Sequence, residues 1–335
     1  MNHRFAAVAV TMLSLAAVLF LSAAPALAQV SQWKREWPST DFSKSAVDFD
    51  EIISGGPPKG GIPALDRPRF KPVSKIYDRP DSEPVIVVRM NGEAKAYPLK
   101  ILMWHEIVND EVGGVPVTVT YCPLCNSSVA FDRRLDGKVY DFGVSGKLRH
   151  SDMVMYDRQT ESWWQQFIGE AIVGELTGKA LKKIPSQVMP YGAFEAAHPH
   201  GQVLQPPVIA MRDYGRNPYV NYDNERDHPF LYQGRYRGPV PALAYVVAVG
   251  EEAWPLADLR EVGRFEREDL VITWREGMNS ALDDAKITRG RDIGYVEVLR
   301  PTQDGGTEPA VYDMTFAFAF KAFHPEGEIH RLKDD

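Results

Sequence analysis

The segment TVTYCPLCNSSVAFD, residues 118–132, carries both cysteines of a 335-residue chain, Cys122 and Cys125. Before the pair, VPVTVTY alternates apolar and polar residues, and after it SSVAFDRR resumes strand character. The four residues Cys122 to Cys125 stand at the reversal, followed by Asn126, which predicts a hairpin. A redox CxxC of the thioredoxin kind instead opens a helix, whose dipole stabilises the thiolate. A strand–turn–strand cysteine pair containing Pro123 is closer to a zinc-ribbon or rubredoxin knuckle, in which backbone amides point at the sulfurs. Such a knuckle supplies two ligands, so a closed metal site needs more.

The flanking sequence is internally repetitive. VIVVRMNGEAKAYPLKIL (85–102) predicts a strand, a turn at Asn91 and Gly92, a second strand and a helix opened by Pro98. AYVVAVGEEAWPLADL (244–259) repeats that grammar with one residue fewer in the turn. TWREGMNSALD then matches the cysteine segment with Arg275 and Met278 at the two cysteine positions, and FKAFHPEGEI matches FEAAHPHGQV. Three matches in one order predict a duplication. The fold class expected is α+β and β-rich: two internally repeated halves of mainly antiparallel sheet with short helices, one over PLKILMWHEIVND closed by Gly113 and Gly114, another over TESWWQQFIG. The halves are 84–204, carrying the CxxC and a polar insertion at 142–178, and 205–335, lacking the cysteines. Features common to both halves, among them His198 and His324 in their His-Pro turns, belong to the fold. Those of the first half alone are the candidates for function.

Ahead of the first half, residues 29–83 are rich in Pro and Gly and predict an ordered arm, anchored by Ile62, Leu65, Phe70 and Val73. Residues 1–28 carry Arg4, an apolar run and Ala26-Leu27-Ala28, the pattern of a cleavable signal peptide, and predict a periplasmic or secreted chain without stable membrane insertion after cleavage. Loss of Arg4 leaves 37 Lys and Arg against 45 Asp and Glu, a formal charge of −8. That balance excludes a nucleic-acid partner and leaves a small molecule or metal ion. Two cysteines are too few for a disulfide framework, whereas 44% hydrophobic and 11% aromatic residues suffice for packed cores.

His105 is the nearest imidazole to the cysteines. HEIVND lacks the second histidine of HExxH, since Asn109 stands there, so the zincin pattern fails. A site of Cys122, Cys125 and His105 would hold copper or zinc, the ions suited to thiolate and imidazole. His150 and Met155 are candidate further ligands, and Ser145, Asp157, Glu161 and Trp163 candidate pocket residues, in an insertion dense in side chains of catalytic type.

These segments also resemble a family. GIPALDRPRF, AYPLKILMWHEIVND, GGVPVTVTYCPLCNSS, FGVSGKLRHSDMVMYDRQTESWWQQ and AIVGELTG are similar to the exported prokaryotic family catalogued as the domain of unknown function 3179, from about Gly56 to Leu204 and more loosely beyond. The resemblance implies that His105, Cys122, Cys125 and the Ser145 to Gln165 stretch fall on its distinctive motifs. Where that family shows SGLLYNSD, this chain has SGKLRHSD, which weakens His150 as a general ligand. The resemblance brings no activity with it. Three expectations stand: a thiolate–imidazole metal site, a thiol–disulfide redox protein, or a non-catalytic ligand-binding scaffold with a structural disulfide. The oligomeric state is open, since two knuckles from two chains could close an all-cysteine site.

Overall fold

A computed structural model describes residues 29–208 and 212–332. The proposed signal, residues 1–28, lies outside the described residues. Five sheets of four or five strands, mainly antiparallel, are arranged as a five-bladed propeller with short helices on the connections. The β-rich, antiparallel character is as expected, but blades rather than two halves are the units of the fold.

The cysteine blade runs Lys182–Ile184, Ser127–Asp132, Val115–Cys122, Ile107–Val112, Leu65–Asp66. The insertion blade beside it runs Ile52–Ser54, Phe142–Arg149, Asp152–Asp157, Trp163–Gln165, Glu170–Val173. A third blade orders Ser186–Pro190, Pro84–Met90, Glu93–Pro98, Gln202–Gln205 and Arg69–Pro72. A fourth orders Asp313–Phe316, Tyr245–Val249, Glu252–Pro255 and Glu328–Ile329. These last two blades are wired alike. Each has a central hairpin, and in each a strand following a seven-residue helix returns parallel to the hairpin's second strand. His198 and His324 are the residues that end those two helices, their amides bonded to the carbonyls of Phe194 and Phe320. Both hairpins close on two residues, Asn91-Gly92 and Gly250-Glu251, so the length difference lies in the strands and not in the turn. Asn91 and Gly92 both have positive φ, 48° and 84°, as a tight turn matching strand twist requires.

Two expected helices are corrected. The helix opened by Pro98 spans only Leu99–His105, and Ile107–Val112 is a strand paired with Val115–Cys122. Glu106, at φ 58°, breaks the helix, and Gly113 and Gly114 make a hairpin turn instead of a helix stop. TESWWQQFIG forms no helix; Trp163–Gln165 is a strand. Its neighbouring tryptophans point to opposite faces, Trp163 into Trp33, Trp37 and Phe42, and Trp164 against Phe142. A strand buried on both faces reads as a continuous apolar run, which periodicity cannot tell from a helix.

Residues 29–36 are helical, and the following segment supplies the edge strands Ile52–Ser54, Leu65–Asp66 and Arg69–Pro72 of three blades. The packing of Trp33, Trp37 and Phe42 on Trp163 fastens this segment to the insertion blade. Trp163→Ala should therefore cost about 3–5 kcal/mol of stability, read as a lower urea midpoint at unchanged m-value.

Candidate metal centre

The predicted hairpin is present, with Cys122 paired to Ser127 across the turn. Asn126 turns the chain in the left-handed region, φ 49°, and its side-chain oxygen accepts the Tyr121 hydroxyl at 3.0 Å. The turn is held from outside the blade. The Cys125 carbonyl accepts Phe316 N at 3.0 Å and Thr315 Oγ1 at 2.8 Å, and the Leu124 carbonyl accepts the Tyr222 hydroxyl at 3.0 Å.

Asp152 reaches the same place from the insertion blade. It follows a two-residue turn, His150-Ser151, whose positive φ values of 53° and 67° are strained for residues with side chains. Such backbone costs on the order of 1–3 kcal/mol per residue and persists where the surroundings impose it. Cys122, Cys125 and Asp152 each offer a ligand atom within 4.8 Å of the others, and all three are buried. The cysteines are 4.4 Å apart, and both are free thiols. The Asp152 carboxylate accepts Gln165 Nε2 at 2.6 Å, Phe167 N at 3.0 Å and Ser127 Oγ at 3.4 Å. The single Ser127 hydroxyl hydrogen is shared between Asp152 and Gln166 Oε1, the latter at 2.8 Å, and Gln166 Nε2 donates to Thr120 Oγ1 at 2.8 Å.

Burial sets the electrostatics. It pushes the Asp152 carboxyl up to about 7 in spite of opposing hydrogen bonds from Gln165, Phe167, Ser127 and Cys122. Burial, and then the nearby Asp152 charge, push Glu106 up to about 8. Burial first and Cys122 second drive the Cys125 thiol well above its ordinary range. Burial thus favours the protonated forms of Asp152 and Cys125. A divalent ion would replace those protons and supply the missing positive charge.

His105 is not part of this cluster. Its Nδ1 faces the Pro63 carbonyl at 2.7 Å and its Nε2 the Tyr214 hydroxyl at 2.6 Å, so both ring nitrogens are engaged away from the sulfurs. Since the carbonyl can only accept, Nδ1 carries the proton and Nε2 accepts from Tyr214. His150 lies 3.3 Å from Glu51 and against the rings of Tyr232 and Phe323. Met155 is core, paired with Val144 and Trp164. Ser145 donates to the Val154 carbonyl and accepts Lys147 N at a strand irregularity. Asp157 accepts Thr160 N and Trp164 Nε1, Glu161 pairs with Lys59, and Trp163 is in the aromatic cluster. None of these six joins the cysteines. The donor that does, Asp152, lies in the SGKLRHSD motif beside the weighed His150, and Glu106 stands next to His105 in the sequence. The grouping of one acid with two cysteines across blades leaves no mark in the local sequence.

The chain matches the family model described as "Protein of unknown function (DUF3179)" over residues 59–327. It belongs to this family. No curated protein and no solved structure matches it. Glu106, Cys122, Cys125 and Asp152 all fall within the matched residues of this family member. Among the described residues no helix is long and apolar enough to cross a membrane.

The turns that carry Cys125 and Asp152 are tied to the 222–230 segment: the Tyr222 hydroxyl donates to the Leu124 carbonyl and accepts Phe230 N at 3.1 Å, and Ser151 Oγ donates to the Phe230 carbonyl at 2.6 Å. Neither thiol should react with a disulfide reagent until the protein opens, and Tyr222→Phe should speed the reaction about fivefold, the worth of one hydrogen bond. The raised carboxyls also set a pH dependence. Between the ordinary values of 3.8 and 4.5 and the folded values of about 7 and about 8, the folded state binds more protons than the unfolded one. Stability of the chelator-treated protein should thus fall as pH rises from about 4 to 8, by up to ~1.4 kcal/mol per pH unit per group. Asp152→Asn should flatten that fall in urea titrations at stepped pH.

Proposed function

We propose that this protein binds a metal ion through Cys122, Cys125 and Asp152, and that the ion is zinc in preference to copper. The observation that carries this is the convergence of two thiols and a carboxyl, all buried, within 4.8 Å. Zinc bonds of about 2.3 Å to sulfur and 2.0 Å to oxygen place tetrahedral ligands roughly 3.5 Å apart, so a small contraction closes the set. A carboxylate beside two thiolates suits zinc, which accepts hard and soft donors, better than cuprous copper, which favours sulfur. Tyr121, Tyr222 and the Ser127–Gln166 network would then orient the ligands and keep bulk water out.

A redox function has less support. A reactive cysteine needs a lowered pKa, whereas burial drives Cys125 the other way. The partner in this proposal is the metal ion, and export through residues 1–28 would place the protein in the periplasm or outside the cell. We also infer that the two like-wired blades descend from a duplicated unit, the insertion blade being the part the second copy lacks.

Metal analysis of the purified chain should find near-stoichiometric zinc, lost on Cys122→Ser or Cys125→Ser and weakened on Asp152→Asn. At a thousandfold excess over Kd, added zinc should stabilise the protein by about 4 kcal/mol. Failure to take up zinc or copper at all would refute the site.

A further inference from the structure

We infer that the second half of the chain binds a small organic monocarboxylate carrying a single ring, in a cavity that none of the cysteine-site residues lines. The fifth blade orders Arg264–Arg267, Leu270–Arg275, Tyr295–Pro301 and Thr307–Pro309. The connection ahead of Tyr295 carries Arg291, Asp292 and Ile293, and with Tyr245 and Pro255 of the fourth blade and the helix Leu256–Val262 it encloses a cavity of about 310 Å³. Pro239, Val240 and Pro241 add a further apolar side. An apolar cavity of roughly 150 Å³ admits benzene, so twice that volume holds a ring with a short arm. Three of the lining residues are prolines, whose fixed φ keeps the wall in one shape before a ligand arrives.

The polar groups of this cavity are guanidinium groups. Arg291 is fastened from behind: Nη1 donates to Asp223 Oδ1 at 2.9 Å and Asp283 Oδ1 at 3.0 Å, and Nη2 to the Asp223 carbonyl at 3.1 Å. That leaves the Nε hydrogen and one Nη2 hydrogen uncommitted among the described residues. Arg331 is fastened in the same way, with Nε on Asp258 Oδ2 at 2.8 Å. The acids behind them are buried, Asp223 at 0% and Asp258 at 2%, whereas the two arginine side chains are 44% and 32% exposed and so remain within reach of a ligand. Arg260 also lines the cavity and lies over the Trp274 ring at 5.3 Å, with no carboxylate partner among the described residues. Stacking holds a guanidinium in place without using its hydrogen-bond donors.

Charge selects the ligand. Asp258 is taken up by Arg331 and Leu332 N, and Asp292 by the amides of Gly277, Met278 and Gly294, so neither is an acceptor waiting for a cation. Glu225 is the remaining acid of the lining and is exposed to water, where its charge is screened. Guanidinium groups at the edge of an apolar cavity call for an anion with an apolar body. Because Asp223, Asp258 and Asp283 already offset part of the positive charge, one negative charge suffices, which favours a carboxylate over a doubly charged phosphate.

The test is calorimetric titration of 3-phenylpropionate into the full-length protein, with 3-phenylpropan-1-ol as the uncharged control. Prior treatment with chelator removes any metal that could capture a carboxylate. Saturable one-to-one binding of the acid is expected, with the alcohol at least about tenfold weaker, the scale of one charge-assisted hydrogen bond. Arg260→Met should weaken the acid about tenfold and leave the alcohol unchanged. Ala257→Trp, which fills the cavity from the exposed side of its helix, should abolish binding of both. Arg260 and Ala257 are exposed, so both variants should unfold at the wild-type temperature, which separates lost binding from lost fold. Wild type that does not bind the acid overturns the inference, as does an alcohol bound as tightly as the acid. Undiminished binding by Ala257→Trp places the ligand elsewhere and overturns it too.

Discussion

The centre depends on removing a carboxyl and two thiols from water at one point between two blades. Each group is costly to bury charged, and Asp152 is tolerated because Gln165, the Phe167 amide and Ser127 all direct hydrogen atoms at it. Those donors come from both sides of the junction: Gln165 and Phe167 belong to the insertion, and Ser127 to the cysteine hairpin. The Gln166 link from Ser127 to Thr120 extends the same network into the hairpin. One hydrogen-bonded junction thus orients the acid and aligns the blades, and the left-handed turn at His150-Ser151 is the strained backbone that puts Asp152 there.

The short helix before the cysteine blade shows how a single residue divides two environments. His105 ends the helix and faces Pro63 and Tyr214. Glu106 leaves the helix with φ 58° and opens the strand that pairs beside the cysteines. Neighbours on either side of such a break point in different directions, so the imidazole is committed to a hydrogen-bonded wall while the next residue joins the ladder through its carbonyl to Tyr121 N. The same period-two logic sends Trp163 into the aromatic clamp and Trp164 to the other face. The arm holds the outer face of the insertion blade, and the inner end of that blade carries Asp152.

Much of this was legible in the chain itself. Alternation through VPVTVTY and SSVAFDRR, with only five residues between, determined the hairpin and the spacing of Cys122 and Cys125. Asn91-Gly92 determined a tight turn, Pro98 a helix start, and the His-Pro pairs two helix ends. These are local matters, settled by backbone sterics and by hydrogen bonds a few residues long. Two helices were misread because apolar runs buried on both faces, and Gly pairs that serve hairpins as readily as helix ends, carry no local mark of their partner strand.

What meets the cysteines was decided only by the tertiary structure. Cys122 and Asp152 are thirty residues apart, on strands of different blades, and no period or spacing links them. His105 was nearer in sequence and chemically apt, yet side-chain direction is set by where the helix stops and by which strand then pairs with Val115–Cys122. Sequence alone determined that two thiols share one turn. Packing of the insertion blade against that turn decided that their neighbour is a carboxyl, that of Asp152, because only the burial of non-local surfaces brings such groups together and only their mutual desolvation gives them a common charge problem to solve.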